Sequence, residues 1–101
     1  MSKKQQLRNL ATLIGLRAAH EILITYTTKP ESIPHLNREA DTYSNLAFDL
    51  AQANWGKEDF MTIRVLSKKE CLKRLTKYPD LTGTDDADDI IENIMLDLGL
   101  R

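Results

Sequence analysis

The sequence has little of several residue types on which particular protein classes depend. It contains one cysteine, Cys71, which excludes an intrachain disulfide and favours a reducing, cytoplasmic location. Only 6% of the residues are aromatic, so a core has to be built mainly from Leu, Ile and Ala. The four glycines are isolated from one another, which excludes a glycine-rich phosphate loop. No apolar run reaches the roughly 20 residues of a membrane span, and we predict no membrane association.

Residues that bind metals or perform catalysis are also scarce. Two histidines and one cysteine are too few for a closed zinc site unless carboxylates complete it. His20 and Glu21 begin like a zinc-protease motif, but Ile24 stands where the second histidine is required. The acidic stretch 80–92 does not place a glycine and a glutamate where an EF-hand loop needs them. No acid, base and nucleophile are spaced to act together, so we predict no metal site, no cofactor and no enzymatic activity.

What the chain does have is charge in blocks, although its net charge is only −1. Residues 1–29 hold five cations and one anion, whereas residues 30–66 hold three cations and six anions. Residues 67–78 again hold five cations and one anion, and residues 79–101 hold seven anions and one cation. This segregation predicts that contacts between blocks, within one chain or between chains, are selected electrostatically.

Apolar residues recur at helical spacing along the chain, which predicts an all-α fold. The predicted helices cover residues 3–26, 34–55, 57–66, 67–78 and 84–98. We therefore predict a single helical domain over residues 1–101. It is expected to be a small bundle of four to five helices, with two long antiparallel helices and shorter C-terminal helices.

Local signals set the boundaries and one crossing point of these helices. Ser2 is placed to cap the first helix, because Gln5 follows it at capping-box spacing. Ser67 and Glu70 repeat that spacing and indicate that a new helix begins at 67. Gly15 lies in the middle of the first helix, at a cost of up to ~1 kcal/mol relative to alanine. That cost predicts that another helix crosses closely at Gly15.

The first helix carries two apolar stripes rather than one. The first consists of Leu7, Leu10, Ala11, Ile14, Ala18 and Ile22, and the second of Leu13, Leu16, His20 and Leu23. A helix that is apolar on two faces has to be covered on both, so it is either central in the bundle or lies at a subunit interface. The second helix has an inner stripe that includes Leu46, while Phe48 and Trp55 fall on its opposite side. Either the following segment folds back over these aromatic rings or a partner covers them.

Three polar or reactive side chains fall at inward positions. His20 is expected to be a packed, hydrogen-bonded core histidine. Glu39 lies near the edge of an inner stripe and needs a partner, and His35 is one turn away from it. Cys71 is expected to be a buried structural thiol, because Leu75 shares its inward face.

The segment 67–78 carries a column of positive charge. Lys69, Lys73 and Lys77 follow one another at i, i+4 spacing, and Arg74 lies beside them. Like charges so placed repel, and an anion over them relieves the repulsion. That anion is either the acidic last helix, within the chain or between subunits, or nucleic acid. Residues 57–78 loosely resemble a helix-turn-helix, although the usual turn glycine is absent and the isoelectric point of about 6.1 is not basic.

The favoured interpretation is a small cytoplasmic protein-interaction module that forms a homodimer or is a subunit of a larger assembly. The candidate interface consists of Leu13, Leu16, Leu23, Phe48 and Trp55. The alternative is a nucleic-acid-binding regulator that uses Lys69, Lys73, Arg74 and Lys77 on the basic helix 67–78.

Overall fold

The computed structural model describes residues 2–78 and 86–100. Within these residues the chain forms four α-helices and one short 3-10 helix, and no strand. The helices are α1 (Lys3–Tyr26), α2 (Ile33–Ala51), α3 (Lys57–Leu75) and α4 (Asp86–Asp97), and the 3-10 turn Pro30–Ser32 leads into α2. The predicted all-α class is confirmed, and the number of helices lies within the predicted range.

The other helices are arranged around α1, which packs against α2, α3 and α4. In addition, α4 packs against α3, whereas α2 and α3 make few contacts with each other in the described residues. The first apolar stripe of α1 forms the core, with Leu10, Ile14, Ala18 and Ile22 completely buried. Because α1 lies at the centre of the bundle, the other helices of the chain cover most of its circumference.

The contacts between α1 and α2 show that these two helices run in opposite directions. Arg17 of α1 hydrogen-bonds Ser44 of α2, and His20, one turn further along α1, contacts Glu39, which lies earlier in α2. Later residues of α1 thus contact earlier residues of α2. This order brings the end of α1 close to the beginning of α2.

The crossing of α1 and α3 is closest at Gly15. A Cβ atom built on Gly15 would lie 2.6 Å from the carbonyl oxygen of Ser67 and 2.7 Å from the Cβ of Glu70. The backbone nitrogen of Cys71 would be 3.1 Å away. Separations this short leave no room for a side chain, because two of the three neighbours are backbone atoms. The predicted close crossing at Gly15 is confirmed.

The predicted helix boundary at Ser67 was wrong, because α3 continues without a break from Lys57 to Leu75. Ser67 does not cap a helix but lies completely buried at the crossing with α1. The helix begins ten residues earlier, where the carboxylate of Asp59 accepts a hydrogen bond of 2.9 Å from the Gly56 amide. The turn on which the helix-turn-helix comparison depended is absent from residues 57–75, and the basic segment is the second half of one long helix.

Two other helix ends differ from the prediction. The second helix ends at Ala51 rather than near Trp55. The chain turns there, and the Trp55 indole N–H donates to the carbonyl oxygen of Leu50 at 3.1 Å. The predicted helix 67–78 also ends early, at Leu75, and Tyr78 lies beyond it with an exposed side chain.

The remaining boundaries agree with the pattern in the sequence. Ser2 caps α1 as predicted, and its hydroxyl accepts from the Gln5 amide at 3.1 Å. Gly99 follows α4 with a φ of +75°, a conformation that favours glycine at the end of a helix. The predicted start of the last helix near Thr84 lies outside the described residues. None of the described helices combines the length and hydropathy that crossing a bilayer requires.

Candidate functional site

A buried histidine lies in a polar cluster between α1 and α2. His20 is only 2% exposed. Its Nδ1 lies 2.8 Å from the carbonyl oxygen of Leu16, and its Nε2 lies 2.5 Å from Oε2 of Glu39. The other carboxylate oxygen of Glu39 lies 2.8 Å from Nε2 of His35. One carboxylate thus bridges two imidazole rings, and the expectation of a hydrogen-bonded core histidine is confirmed.

Both ring nitrogens of His20 have an oxygen partner. Nδ1 lies against the backbone carbonyl of Leu16, and Nε2 lies against the carboxylate of Glu39. The hydrogen bond from His20 lowers the pKa of Glu39, against the opposing effect of burial. The positive charges of His35, His20 and Arg74 lower the pKa of Glu39 further.

This cluster stabilises the packing of α2 on α1 and does not form a metal site. The ring of Tyr43 packs edge-on against His20 with 5.1 Å between centroids. Across residues 2–78 and 86–100, no group of three or more histidine, cysteine or acidic side chains is placed to hold a metal ion. The i, i+4 spacing of His35 and Glu39 is visible in the sequence, but the contribution of His20 comes from another helix.

The structure places the five predicted interface residues in different surroundings. Leu23 is 8% exposed and belongs to the chain's own core, and Leu13 and Leu16 are half-buried. Trp55 is half-buried, packs against the core, and has the Lys3 ammonium 5.1 Å from its ring centroid. Phe48 is 53% exposed. Of these five residues, only Phe48 is exposed.

An apolar groove lies between α1 and α2 and includes one of the predicted residues. It has a volume of about 410 Å³, and we call it the α1–α2 groove. Its lining consists of Leu13, Leu46, Leu50, Asn9, Thr12 and Asp49. Leu46 is 51% exposed, although its place in the inner stripe predicts a core-facing side chain. The sequence pattern therefore revealed Leu13 but not the half-exposed position of Leu46.

Ion pairs join α3 to the acidic last helix, but not through the predicted column of cations. Arg64 pairs with Glu92, and Lys68 pairs with Asp88 at 3.0 Å. In the part of the chain that the structure describes, four exposed cations of the segment form no ion pair: Lys69, Lys73, Arg74 and Lys77. The acidic helix thus neutralises one edge of α3, and none of its described carboxylates pairs with the column.

A second, larger groove opens where the end of α1, the beginning of α2 and the end of α3 meet. Its volume is about 680 Å³, and we call it the basic groove. It is lined by Leu23, Tyr26, Thr27, Thr28, Lys29, Ser32, His35, Leu36, Lys77 and Tyr78. The phenol of Tyr26 donates to Asp86 at 2.6 Å, and this hydrogen bond raises the pKa of Tyr26.

Cys71 is a structural residue rather than a reactive one. Its side chain is completely buried at the crossing of α1 and α3. Burial raises the pKa of the Cys71 thiol to about 11, which keeps it protonated at neutral pH.

Comparisons with known proteins add no relative from which a function could be carried over. The sequence matches no protein-family model, no curated protein and no solved structure. The function is therefore argued from the geometry of the grooves and charges described above.

Proposed function

We propose that the protein is a small cytoplasmic helical interaction module that forms a homodimer through the α1–α2 groove. The observation that carries this proposal is the half-exposed Leu46 beside Leu13 and Leu50 in an open apolar depression. Covering the exposed half of one leucine gains about 1 kcal/mol, and a two-fold interface counts this gain twice. The groove also uses the second apolar stripe of α1, which the chain covers only in part.

Charge distribution favours a second copy of this chain as the partner. The net charge of −1 means that two copies repel each other little. Asp41 and Asp49 on α2 form no ion pair with any described residue, and neither does the basic column of α3. In the proposed dimer, Asp41 and Asp49 on α2 of one copy pair with the basic column on α3 of the other, and the two-fold symmetry makes this contact twice.

The test compares two variants of α2, in each of which one exposed apolar residue is replaced by glutamate. Leu46→Glu places a charge in the groove, whereas Phe48→Glu changes a residue of similar exposure that points about 200° away around α2. Sedimentation equilibrium over a range of concentrations measures the association, and circular dichroism checks that both variants stay helical. We expect dimers for the unmodified chain and for Phe48→Glu, and monomers for Leu46→Glu.

Two results would contradict the proposal. The first is a monomer at every concentration of the unmodified chain. The second is the reverse pattern, in which Phe48→Glu dissociates the dimer and Leu46→Glu does not. Added salt provides a further check, because paired charges between copies are screened within about 10 Å at 0.1 M salt, and association should weaken.

A second candidate function is binding to nucleic acid, and the unpaired basic column favours it. Lys69, Lys73, Arg74 and Lys77 lie on the last turns of α3 and just beyond its end, so phosphates would contact one continuous helix. Fluorescence anisotropy with duplex DNA and RNA should show binding that weakens steeply with salt. Lys73→Glu with Arg74→Glu should abolish it, whereas Lys4→Glu with Lys57→Glu makes the same change in net charge elsewhere and should not. Equal losses for the two pairs would indicate a general charge effect and exclude the column.

A further inference from the structure

The basic groove has the size and the polar lining of a small-molecule site. Its volume of about 680 Å³ lies within the range of roughly 300–1,000 Å³ that is usual for ligand pockets. Leu23 and Leu36 supply apolar surface, and the other eight lining residues carry a polar or charged group. Ligand pockets are typically lined by apolar and aromatic side chains with a small number of polar groups that orient the ligand, and this groove offers two leucines and two tyrosine rings beside its polar groups.

The charge of this lining is positive and is not neutralised locally. Lys29 and Lys77 both line the groove, and neither forms an ion pair within residues 2–78 and 86–100. Two carboxylates contact side chains of the lining, but the partner of each is not one of these lysines. Glu39 lies between two imidazoles, and Asp86 accepts from the phenol of Tyr26. Among the residues that the structure describes, no carboxylate pairs with either ammonium group of this groove.

Hydroxyl groups lie close to Lys29 in the chain and line the same groove, where they can donate to an anion. Thr27, Thr28 and Ser32 all line the groove. The Thr27 hydroxyl oxygen accepts from the Lys29 amide at 3.1 Å, so its own hydrogen is available for another acceptor. Lysines combined with hydroxyl donors are well suited to phosphate oxygens, because charge-assisted hydrogen bonds are the strong ones.

The aromatic residues specify what should be attached to the phosphate. Tyr26 and Tyr78 both line the groove, and both are exposed although large aromatic side chains usually lie buried. An exposed aromatic ring offers a flat surface on which a nucleobase or a similar ring stacks. Cations and flat aromatic surfaces in one groove together favour a ligand that has both an anionic group and a planar ring.

We infer that the basic groove binds a small phosphate ester that carries a planar ring, of the mononucleotide class. Lys29 and Lys77 hold the phosphate, the hydroxyls of Thr27 and Ser32 donate to it, and a tyrosine stacks on the ring. The site shares no residue with the α1–α2 groove, but it shares Lys77 with the basic column of α3.

Amide chemical shifts of the labelled full chain test the inference with three probes: adenosine monophosphate, adenosine and inorganic phosphate. The nucleotide should shift the amides of 26–29, 35–36 and 77–78 in a saturable manner, and each of the other two probes should bind more weakly. Lys29→Gln with Lys77→Gln should weaken nucleotide binding by about 100-fold, or tenfold for each lost charge-assisted contact. The matched control, Lys4→Gln with Lys57→Gln, should leave the affinity unchanged.

Three outcomes would overturn the inference. The first is the absence of saturable shifts up to about 10 mM nucleotide, a concentration above which binding is too weak to be specific. The second is equal affinity for the nucleotide and inorganic phosphate, because the tyrosines would then contribute nothing. The third is an equal loss of affinity in the control pair, which would indicate a general charge effect.

Discussion

Replacing Gly15 by alanine should destabilise the protein, although the same change stabilises most helices. The new methyl group would lie 2.6 Å from the carbonyl oxygen of Ser67 and 2.7 Å from the Cβ of Glu70. Neither atom is the end of a flexible side chain, so relief requires α3 to move away from α1. Movement of α3 also disturbs Cys71 and other completely buried residues at the same crossing.

Two opposing terms decide the size of the effect. Alanine is favoured over glycine in a helix interior by about 1 kcal/mol, which stabilises the variant. Overpacking a close-packed contact costs typically 1–3 kcal/mol, and contact with backbone places this site near the upper end. The net loss in the free energy of unfolding is therefore about 2 kcal/mol. For a chain of this length, that corresponds to a fall in Tm of roughly 8–16 °C.

Urea and thermal unfolding followed by far-UV circular dichroism measure this loss. Gly56→Ala is the matched control, because its Cβ would meet only a carboxylate oxygen of Asp59 at 3.8 Å. That control should lose less than about 1 kcal/mol, the usual effect of an unfavourable residue at a helix N-cap. Both variants are compared with the unmodified chain at one protein concentration, since self-association would itself shift Tm. A Gly15→Ala protein as stable as the unmodified chain would refute the close crossing.

Three further predictions concern the buried polar groups. The pKa of Glu39 is lowered in the folded chain. Its contribution to stability is therefore present at a pH above its ordinary pKa of 4.5, and it is lost as the pH falls through the pKa of the folded state. Glu39→Gln should reduce this loss of stability at acid pH, which urea unfolding at a series of pH values measures. The Cys71 thiol, with its pKa raised to about 11, should react with a thiol reagent at pH 8 about 100-fold more slowly than in the unfolded chain. Ser67→Ala should not lower the free energy of unfolding and should raise it by up to about 1 kcal/mol, because the buried Ser67 hydroxyl has no hydrogen-bond partner among the described residues. The first expectation would be contradicted if Glu39→Gln and the unmodified chain lost stability equally at acid pH. Rapid labelling of Cys71 in the folded protein would contradict the second, and a clear loss of stability in Ser67→Ala would contradict the third.

The sequence was most informative for α1, because strong local signals agree with long-range packing there. The serine cap at Ser2 and the helical spacing of apolar residues predicted both ends of the helix correctly. The two stripes correctly indicated that more than one neighbour covers it. The penalty of a mid-helix glycine identified the crossing at Gly15, because such a penalty persists only where close approach requires it.

The sequence was misleading at Ser67, where a local rule and a tertiary requirement favour the same residue type. Serine at that position suggested a cap, but a small residue is also what a close helix crossing requires. Its crossing partner, Gly15, lies more than fifty positions earlier, so no local window contains both residues. A cap at Ser67 also conflicts with the burial of the residues one turn before and one turn after it. Ile63 and Cys71 form part of one continuous inward face of the helix.

The candidate sites were only partly predictable, because each combines residues from separate helices. The i, i+4 pair of His35 and Glu39 was visible, but the strongest partner of Glu39 is His20 on α1. The sequence pattern placed Leu46 in a widened inner stripe, but it lies about 100–140° around α2 from the buried Ala40, Ala47 and Ala51. Only the relative placement of α1 and α2 shows that α1 does not reach far enough to cover it.

The charge blocks acquire a more specific meaning once the helices are placed. The acidic last helix does pair with α3, through Arg64 and Lys68 on the edge that faces α4. Lys69 and Lys73 lie on a different side of the same helix, because neighbouring positions are about 100° apart. The contacts among the described residues therefore leave this basic column without an ion pair. A partner with negative charge would relieve the repulsion among these lysines, and the dimer and nucleic-acid hypotheses differ only in whether that charge comes from α2 of a second copy or from phosphate.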